Sequence, residues 1–163
     1  MEGPGYSFRR ADFHPESGDL AFLGELYAST RREEVAQTGW TVAQIEAFLA
    51  SQFEAQHRYY RDHYASAEFL VILSESGEEI GRLYLDEWEE EFRIVDIALL
   101  PAWRGKGIGS RILQEVISRA RKKGKAVSIH VEQFNPAMSL YKRLGFENVS
   151  EDGVYYLMTL TPK

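Results

Sequence analysis

The stretch Arg104-Gly105-Lys106-Gly107-Ile108-Gly109 decides how this 163-residue chain is read. It lies between a strand-like run, Phe92 to Leu100, and an apolar stripe at helical spacing formed by Ile108, Ile112, Leu113, Val116, Ile117 and Ala120. Pro101 stops the strand, because proline cannot donate to a ladder, and Gly124 closes the helix. Glycines at such a junction let the backbone approach a ligand, and the free N–H groups and dipole of the helix start favour an anion. A phosphate or pyrophosphate is the natural occupant. Two familiar phosphate loops fail on spacing. The P-loop needs Gly-Lys-Ser/Thr after Gly and four residues, but the fifth residue after Gly105 is Ser110. The dinucleotide fingerprint needs a third glycine at 110 and an acid some 20 residues on, in a region that offers Lys125 and Ser128.

Downstream of the loop, Val127, Ile129 and Val131 alternate with Ser128, His130 and Glu132 as a strand. Asn135-Pro136 reads as an N-cap with proline at the first helical position, Gly145 as the matching stop, and Val154 to Leu160 as a last strand. Upstream, Tyr6 to Phe13 reads as a short strand, and Asp19 as the cap of a helix that Gly39 ends. Thr41 and Gln44 have the form of a capping box, opening a second helix that runs to about Tyr64 with Ile45, Phe48, Leu49 and Phe53 inward. Phe69 to Leu73 and Ile80 to Leu85 are strands around a turn at Ser74 to Gly77. The order β-α-α-β-β-β-α-β-α-β predicts an α/β fold with a mixed sheet. One domain spans 1–163: an N-terminal strand and two helices (6–64), a core (68–146) and a C-terminal strand (147–163).

Composition narrows the partners. The chain has 19 Lys+Arg against 25 Asp+Glu, net charge -6, which repels phosphate backbones and argues against nucleic acid. There is no cysteine, so disulfides, thiolate metal sites and a Cys nucleophile are excluded. The opening Met1-Glu2-Gly3-Pro4-Gly5 lacks the basic and apolar regions of a signal peptide, and the longest clean apolar run, Phe69 to Leu73, is far short of a membrane span. A soluble, cytoplasmic protein is the expectation.

The loop fits the pattern Arg/Gln-x-x-Gly-x-Gly/Ala, and Asn135-Pro-Ala-Met-Ser-Leu-Tyr141-Lys-Arg-Leu-Gly145-Phe146 fits Asn-x-x-Ala-x-x-Leu-Tyr-x-x-x-Gly-Phe with one residue fewer after Asn135. Together with the strand–helix–strand–helix order between them, these segments resemble the coenzyme-binding core of the GNAT superfamily of N-acetyltransferases. The resemblance implies the acyl-CoA N-acyltransferase fold, acetyl-CoA as cosubstrate without a metal, and direct attack by an amine. It further implies that the strand before the loop splays from its neighbour, with the pantetheine arm held by the backbone of Ile97, Ala98 and Leu99. Arg104 and the amides of Gly105, Lys106, Gly107, Ile108, Gly109 and Ser110 would then hold the pyrophosphate. An N–H near Leu99 would stabilise the oxyanion, and Asn135, primarily a cap, would also touch coenzyme. Tyr141 would be the proton donor to the departing thiolate, a task suited to a group neutral at working pH; its other reading is a packing tyrosine.

The general base has two candidates. Asp96 is expected on the strand face of Ile94 and Ala98, where a carboxylate is desolvated and suited to accept a proton, or else is satisfied structurally. His130 stands where some ribosomal-protein acetyltransferases of the family place a glutamate, and titrates near neutrality. Gln52, Gln56, Tyr59, Tyr60 and His63 follow the second helix at near-helical spacing, with Trp40 just before it, as an acceptor wall or as packing and surface. Asp86-Glu87-Trp88-Glu89-Glu90-Glu91 is a solvated hairpin tip or an acidic lip for an ammonium group. Arg119, Arg121, Lys122, Lys123 and Lys125 complement a helix C-terminus, with a secondary contribution to the CoA 3′-phosphate. The expected acceptor is a small cationic amine. The alternatives are N-terminal or lysine acetylation of a protein, an idle acyl-CoA-binding sensor, and a phosphoprotein- or nucleotide-binding module that rests on the anion loop alone. Edge strands are compatible with a homodimer.

Overall fold

The computed structural model describes residues 5–162; Met1 to Pro4, on which the signal-peptide reading largely rests, lie outside the described residues. In chain order the elements are β1 (Tyr6–Arg10), α1 (Asp19–Val35), α2 (Val42–His63), β2 (Glu68–Ser74), β3 (Glu79–Glu87), β4 (Glu91–Leu99), α3 (Ile108–Lys122), β5 (Ala126–Glu132), α4 (Met138–Leu144), β6 (Glu147–Asp152) and β7 (Tyr155–Leu160). They form one mixed sheet in the order β1-β2-β3-β4-β5-β7-β6, with β4 and β5 parallel and the other neighbours antiparallel. The parallel pair is joined through α3, as a parallel connection requires.

Each sheet face has its own core. Ile108, Ile112, Leu113 and Val116 of α3 pack with Leu83, Leu85, Phe92, Ile94, Val127 and Ile129, and this cluster reaches Tyr141 and Phe146. On the other face Leu23, Leu26 and Tyr27 of α1 pack with Leu49 and Phe53 of α2. Each fully buried Leu, Ile or Phe contributes about 1.5–3 kcal/mol relative to exposure, so these stripes fix which way both helix pairs face. The expected capping box is present: Gln44 N–H donates to Thr41 Oγ1 (3.1 Å) and Thr41 N–H to Gln44 Oε1 (2.9 Å). No described helix is long and apolar enough to cross a membrane.

Three local expectations are corrected. Gly18, at φ 84°, is the N-cap of α1. Asp19 is instead its first helical residue, and its carboxylate accepts from Arg9 (2.8 and 2.9 Å) and from Asp12 N–H (2.7 Å). α4 starts at Met138 with Ala137 as N-cap. Asn135 therefore caps the preceding turn, its Oδ1 accepting from Ala137 N–H at 2.8 Å. The C-terminal segment holds two strands where one was expected. β6 is exposed along its whole length, so Glu-Asn-Val-Ser-Glu-Asp has no buried face to write an alternating pattern.

Candidate active site

β4 and β5 pair only from Glu91–Ala126 to Ile94–Ile129, after which they part. The cause lies on the other edge of β4. Tyr84 faces Asp96 and Leu85 faces Ile94, leaving Val95 as an extra residue in a β-bulge. A bulge bends its strand and moves later side chains to the opposite face. Phe92 and Ile94 face α3, and so do Ile97 and Leu99, whereas Ala98 packs against α1 and α2. Asp96 meets Tyr60 of α2. The expectation that Asp96 shares a face with Ile94 is thereby corrected; it shares one with Ala98 alone.

The splay opens a backbone edge. Leu100 N–H donates to Ile80 O at 2.8 Å, so strand alternation turns the amides of Ile97 and Leu99 into the gap and that of Ala98 toward β3. Arg104 Nε donates to Leu99 O at 2.9 Å, which ties the loop to the strand end and occupies that carbonyl. Gly105 and Gly107 have φ of 74° and 84°, in the left-handed region that side chains rarely adopt. Gly107 is the N-cap of α3 and makes no side-chain cap bond. The first amides of a 15-residue helix are therefore left for solvent or an anion, the donor set a pyrophosphate needs.

Tyr141 of α4 is 4% exposed, with its ring edge-on to Phe146 at 6.0 Å. Burial, aided by the charge of Asp96, pushes its hydroxyl up to about 12. The charge of Asp96 is thus felt at the Tyr141 hydroxyl. Asp96 Oδ2 accepts from Arg82 Nη2 (2.7 Å) and Tyr60 Oη (2.9 Å), and Arg82 Nη2 also donates to Gln56 Oε1 (2.7 Å). Arg82 is 3% exposed. The unpaired carboxylate expected on an apolar surface is instead half of a nearly buried ion pair. His130 is exposed on β5. Partial desolvation and the positive charge of Arg93 hold its pKa below the usual 6.5, against the pull of Asp152, so the imidazole is neutral at pH 7.

Of the expected acceptor wall, Gln56 and Tyr60 join Asp96. Gln52 is exposed one turn earlier, and Trp40, 44% exposed, packs on Phe48 at the opposite end of α2. Tyr155 of β7 senses Glu132, Arg31 and Tyr27, and Tyr60 senses Tyr155, so α1, α2, β5 and β7 converge here. The acidic run is divided: Asp86 is buried and accepts from Ser66 Oγ (2.7 Å), while Glu87 is paired with Lys123 (2.8 Å) and Lys125 (2.7 Å). Those lysines hold the Glu87 carboxyl down at about 2. Arg82 escaped the sequence reading. Its signal was there, since an arginine inside the apolar run Ile80 to Leu85 demands a buried partner.

A splayed parallel strand pair beneath an uncapped, glycine-started helix, with a buried tyrosine on α4, fits an acyl-CoA-type transferase fold. The family model described as "Acetyltransferase (GNAT) domain" matches residues 65–148, and the chain belongs to that family. It is 31% identical over 128 residues to an N-acetyltransferase 9-like protein of Caenorhabditis briggsae, covering 69% of this chain and 64% of that protein. It is 31% identical over 85 residues to the [ribosomal protein bS18]-alanine N-acetyltransferase of Haemophilus influenzae, covering 52% and 58%. The chain thus spans less than two thirds of the length of either relative. The PaiA N-acetyltransferase of Thermoplasma acidophilum, solved in complex with coenzyme A, shares the fold with a TM-score of 0.69 at 20% identity, covering 96% of this chain and 98% of that one.

Proposed function

We propose that the chain transfers an acetyl group from acetyl-CoA to a primary amine by direct attack in a ternary complex. The observation that carries this reading is the gap between β4 and β5, edged by the Ile97 and Leu99 amides and followed by the uncapped, glycine-started α3. Acetyl-CoA supplies a thioester; the amine attacks in its neutral form, its nitrogen bonds to the carbonyl carbon, the C–S bond breaks with CoA leaving as thiolate, and the one N–H proton that the amide does not keep must be accepted. Leu99 N–H, turned into the gap, serves as the fixed donor for the developing oxyanion. His130 accepts the proton, because it is neutral at pH 7 while Asp96 Oδ2 is engaged by two donors.

Tyr141 supports the departing sulfur. A thiol titrates at about 8.5, so complete transfer from a hydroxyl at about 12 is uphill by roughly 5 kcal/mol. Its contribution is therefore a hydrogen bond that strengthens as the thiolate forms, rather than a free proton delivered to it. The acceptor is a small cationic amine: with Asp96 balanced by Arg82, Glu132 is the carboxylate that faces a wall of tyrosines, and together they favour an ammonium group.

The test is release of CoA thiol from acetyl-CoA against polyamines, aminoglycosides, amino acids and short peptides. Turnover with a polyamine or aminoglycoside supports the small-amine reading. Turnover with peptides alone moves the acceptor to a protein terminus or lysine. Silence across the panel, with CoA binding intact by titration, leaves an acyl-CoA sensor.

A further inference from the structure

Arg93 is a buried cation that the chemistry above does not use. It is 8% exposed, and among the described residues no carboxylate pairs with it directly, whereas buried Arg82 holds Asp96 at 2.7 Å. A buried charge is costly unless something satisfies it. Neutral groups do so here. Arg93 Nε donates to Ser128 Oγ at 2.8 Å, Nη1 donates to Tyr64 Oη at 3.3 Å, and the guanidinium carbon stands 4.9 Å from the centre of the Trp88 ring. Ser128 Oγ in turn donates to Glu91, which leaves a hydroxyl lone pair for Arg93. The guanidinium is thereby fixed in place without being neutralised at contact.

Its place follows from register. Arg93 is paired with Ser128 where β4 and β5 still run together. His130 lies two residues beyond Ser128 on the same face of β5, about 7 Å along the strand. We infer that Arg93 is a positioning residue for the reaction: its fixed positive charge, tied to Ser128 beside His130, sets the lower pH limit of turnover. This rests on His130 as the proton acceptor in the reading above.

The charges around His130 decide the direction. β4 brings Arg93 and, through Ser128, Glu91; β6 brings Asp152; Glu132 shares the His130 face of β5. β7 sets the uncharged Leu157 opposite His130, flanked by Tyr155 and Thr159. From α1, Arg31 acts on Glu132 and Tyr155, and from α2 the Tyr64 hydroxyl meets Arg93. Asp96, further along β4, is balanced by Arg82. Partial burial and then Arg93 favour the neutral imidazole, and Asp152 opposes them. A guanidinium stays charged in proteins, so its field acts at every working pH.

The experiment follows the His130 imidazole by NMR titration of the full chain, with His130→Gln to assign its resonance among the four histidines. In parallel, kcat is measured against pH with acetyl-CoA and the amine of the panel above that releases CoA fastest. The native midpoint should lie below 6.5. Arg93→Gln keeps an N–H donor for Ser128 but no charge. It should raise that midpoint by about 0.4–0.9 pH, the effect of one charge at about 7 Å in an effective dielectric of roughly 40–80. The acid limb of kcat should move with it, a loss of about three- to eightfold well below the midpoint. Arg93→Lys keeps the charge and should hold the midpoint within about 0.3 pH of native. Asp152→Asn, on the exposed β6, should move it down instead. Arg93→Met, which fills the slot beside Trp88, takes the place of Arg93→Gln if circular dichroism shows that variant unfolded. A native midpoint at or above 6.5, or one that the folded neutral variant does not raise, overturns the part given to Arg93; His130 stays the base where the acid limb follows its titration. A midpoint that moves while the limb stays, or a panel without turnover, overturns the base assignment and the inference together.

Discussion

Replacing Asp96 by asparagine separates a structural carboxylate from a catalytic one. The substitution keeps shape and one acceptor oxygen but removes the charge 2.7 Å from Arg82, whose side chain is 3% exposed against 16% for Asp96. Breaking a buried ion pair by removing one partner costs about 3–5 kcal/mol, because the remaining charge is left uncompensated. The residual exposure of Asp96 puts the expectation at the lower end, about 3 kcal/mol. With a urea slope near 2 kcal/mol/M, the unfolding midpoint should fall by about 1.5 M. Arg82→Met together with Asp96→Asn should lose less than the sum of the single changes by more than about 1 kcal/mol, since the double variant buries no orphan charge. An Asp96→Asn protein within about 0.5 kcal/mol of the native one, a change typical of surface positions, would refute the ion-pair argument. If that protein had also lost the acid limb of its pH–rate profile, Asp96 would be the base.

Three further outcomes follow from the geometry. Since His130 titrates below 6.5 and acts when neutral, kcat at saturating amine should fall as pH drops through that pKa; His130→Gln should flatten this limb and lower kcat by about a hundredfold, read from pH–rate profiles. Tyr141→Phe should lower kcat by about ten- to a hundredfold while the KM for acetyl-CoA stays within about twofold, because the hydrogen bond is strongest in the transition state. Gly81→Ala should destabilise the chain by about 1–3 kcal/mol in urea melts. Its new Cβ would stand 2.3 Å from Ala98 O and 2.8 Å from Leu99 Cδ2, forcing β4 to move.

What the residues declared in advance follows from how their signals arise. The apolar stripe of α3, the Thr41–Gln44 capping box and the loop glycines are local patterns, and each sits where it was expected. Tyr141 was legible too, as its position in a motif and its place on the buried side of α4 agree. The misses are tertiary. Strand β6 has no buried face and so no periodicity. The Arg82–Asp96 pair joins β3 to β4 through register, and the pairing of Asp96 with Tyr60 spans 36 residues. Trp40 stands just before α2, whose 22 residues separate it from Gln56 and Tyr60 in the helix's second half. A stripe of polar and aromatic residues shows a shared face, and it says nothing about how much of that face one ligand can touch.

The bulge at Val95 connects these points. Alternation alone would set Asp96 on the α3 face, among Ile94 and the aliphatic core, where neither Tyr60 nor Gln56 could reach it. One extra residue reverses the phase, delivers Asp96 to α2, and gives Arg82 its counter-charge. The same residue ends the β4–β5 ladder at Ile94, so the amides of Ile97 and Leu99 lose a strand partner on the β5 side. Unpaired backbone donors at a sheet interior are unfavourable unless something else accepts from them. The ion pair that Asp96 makes with Arg82 anchors the bulged strand to β3 and α2. The arrangement therefore holds the gap open from behind while its free amides face into it, so a ligand carbonyl that fills the gap completes hydrogen bonds the fold has left open.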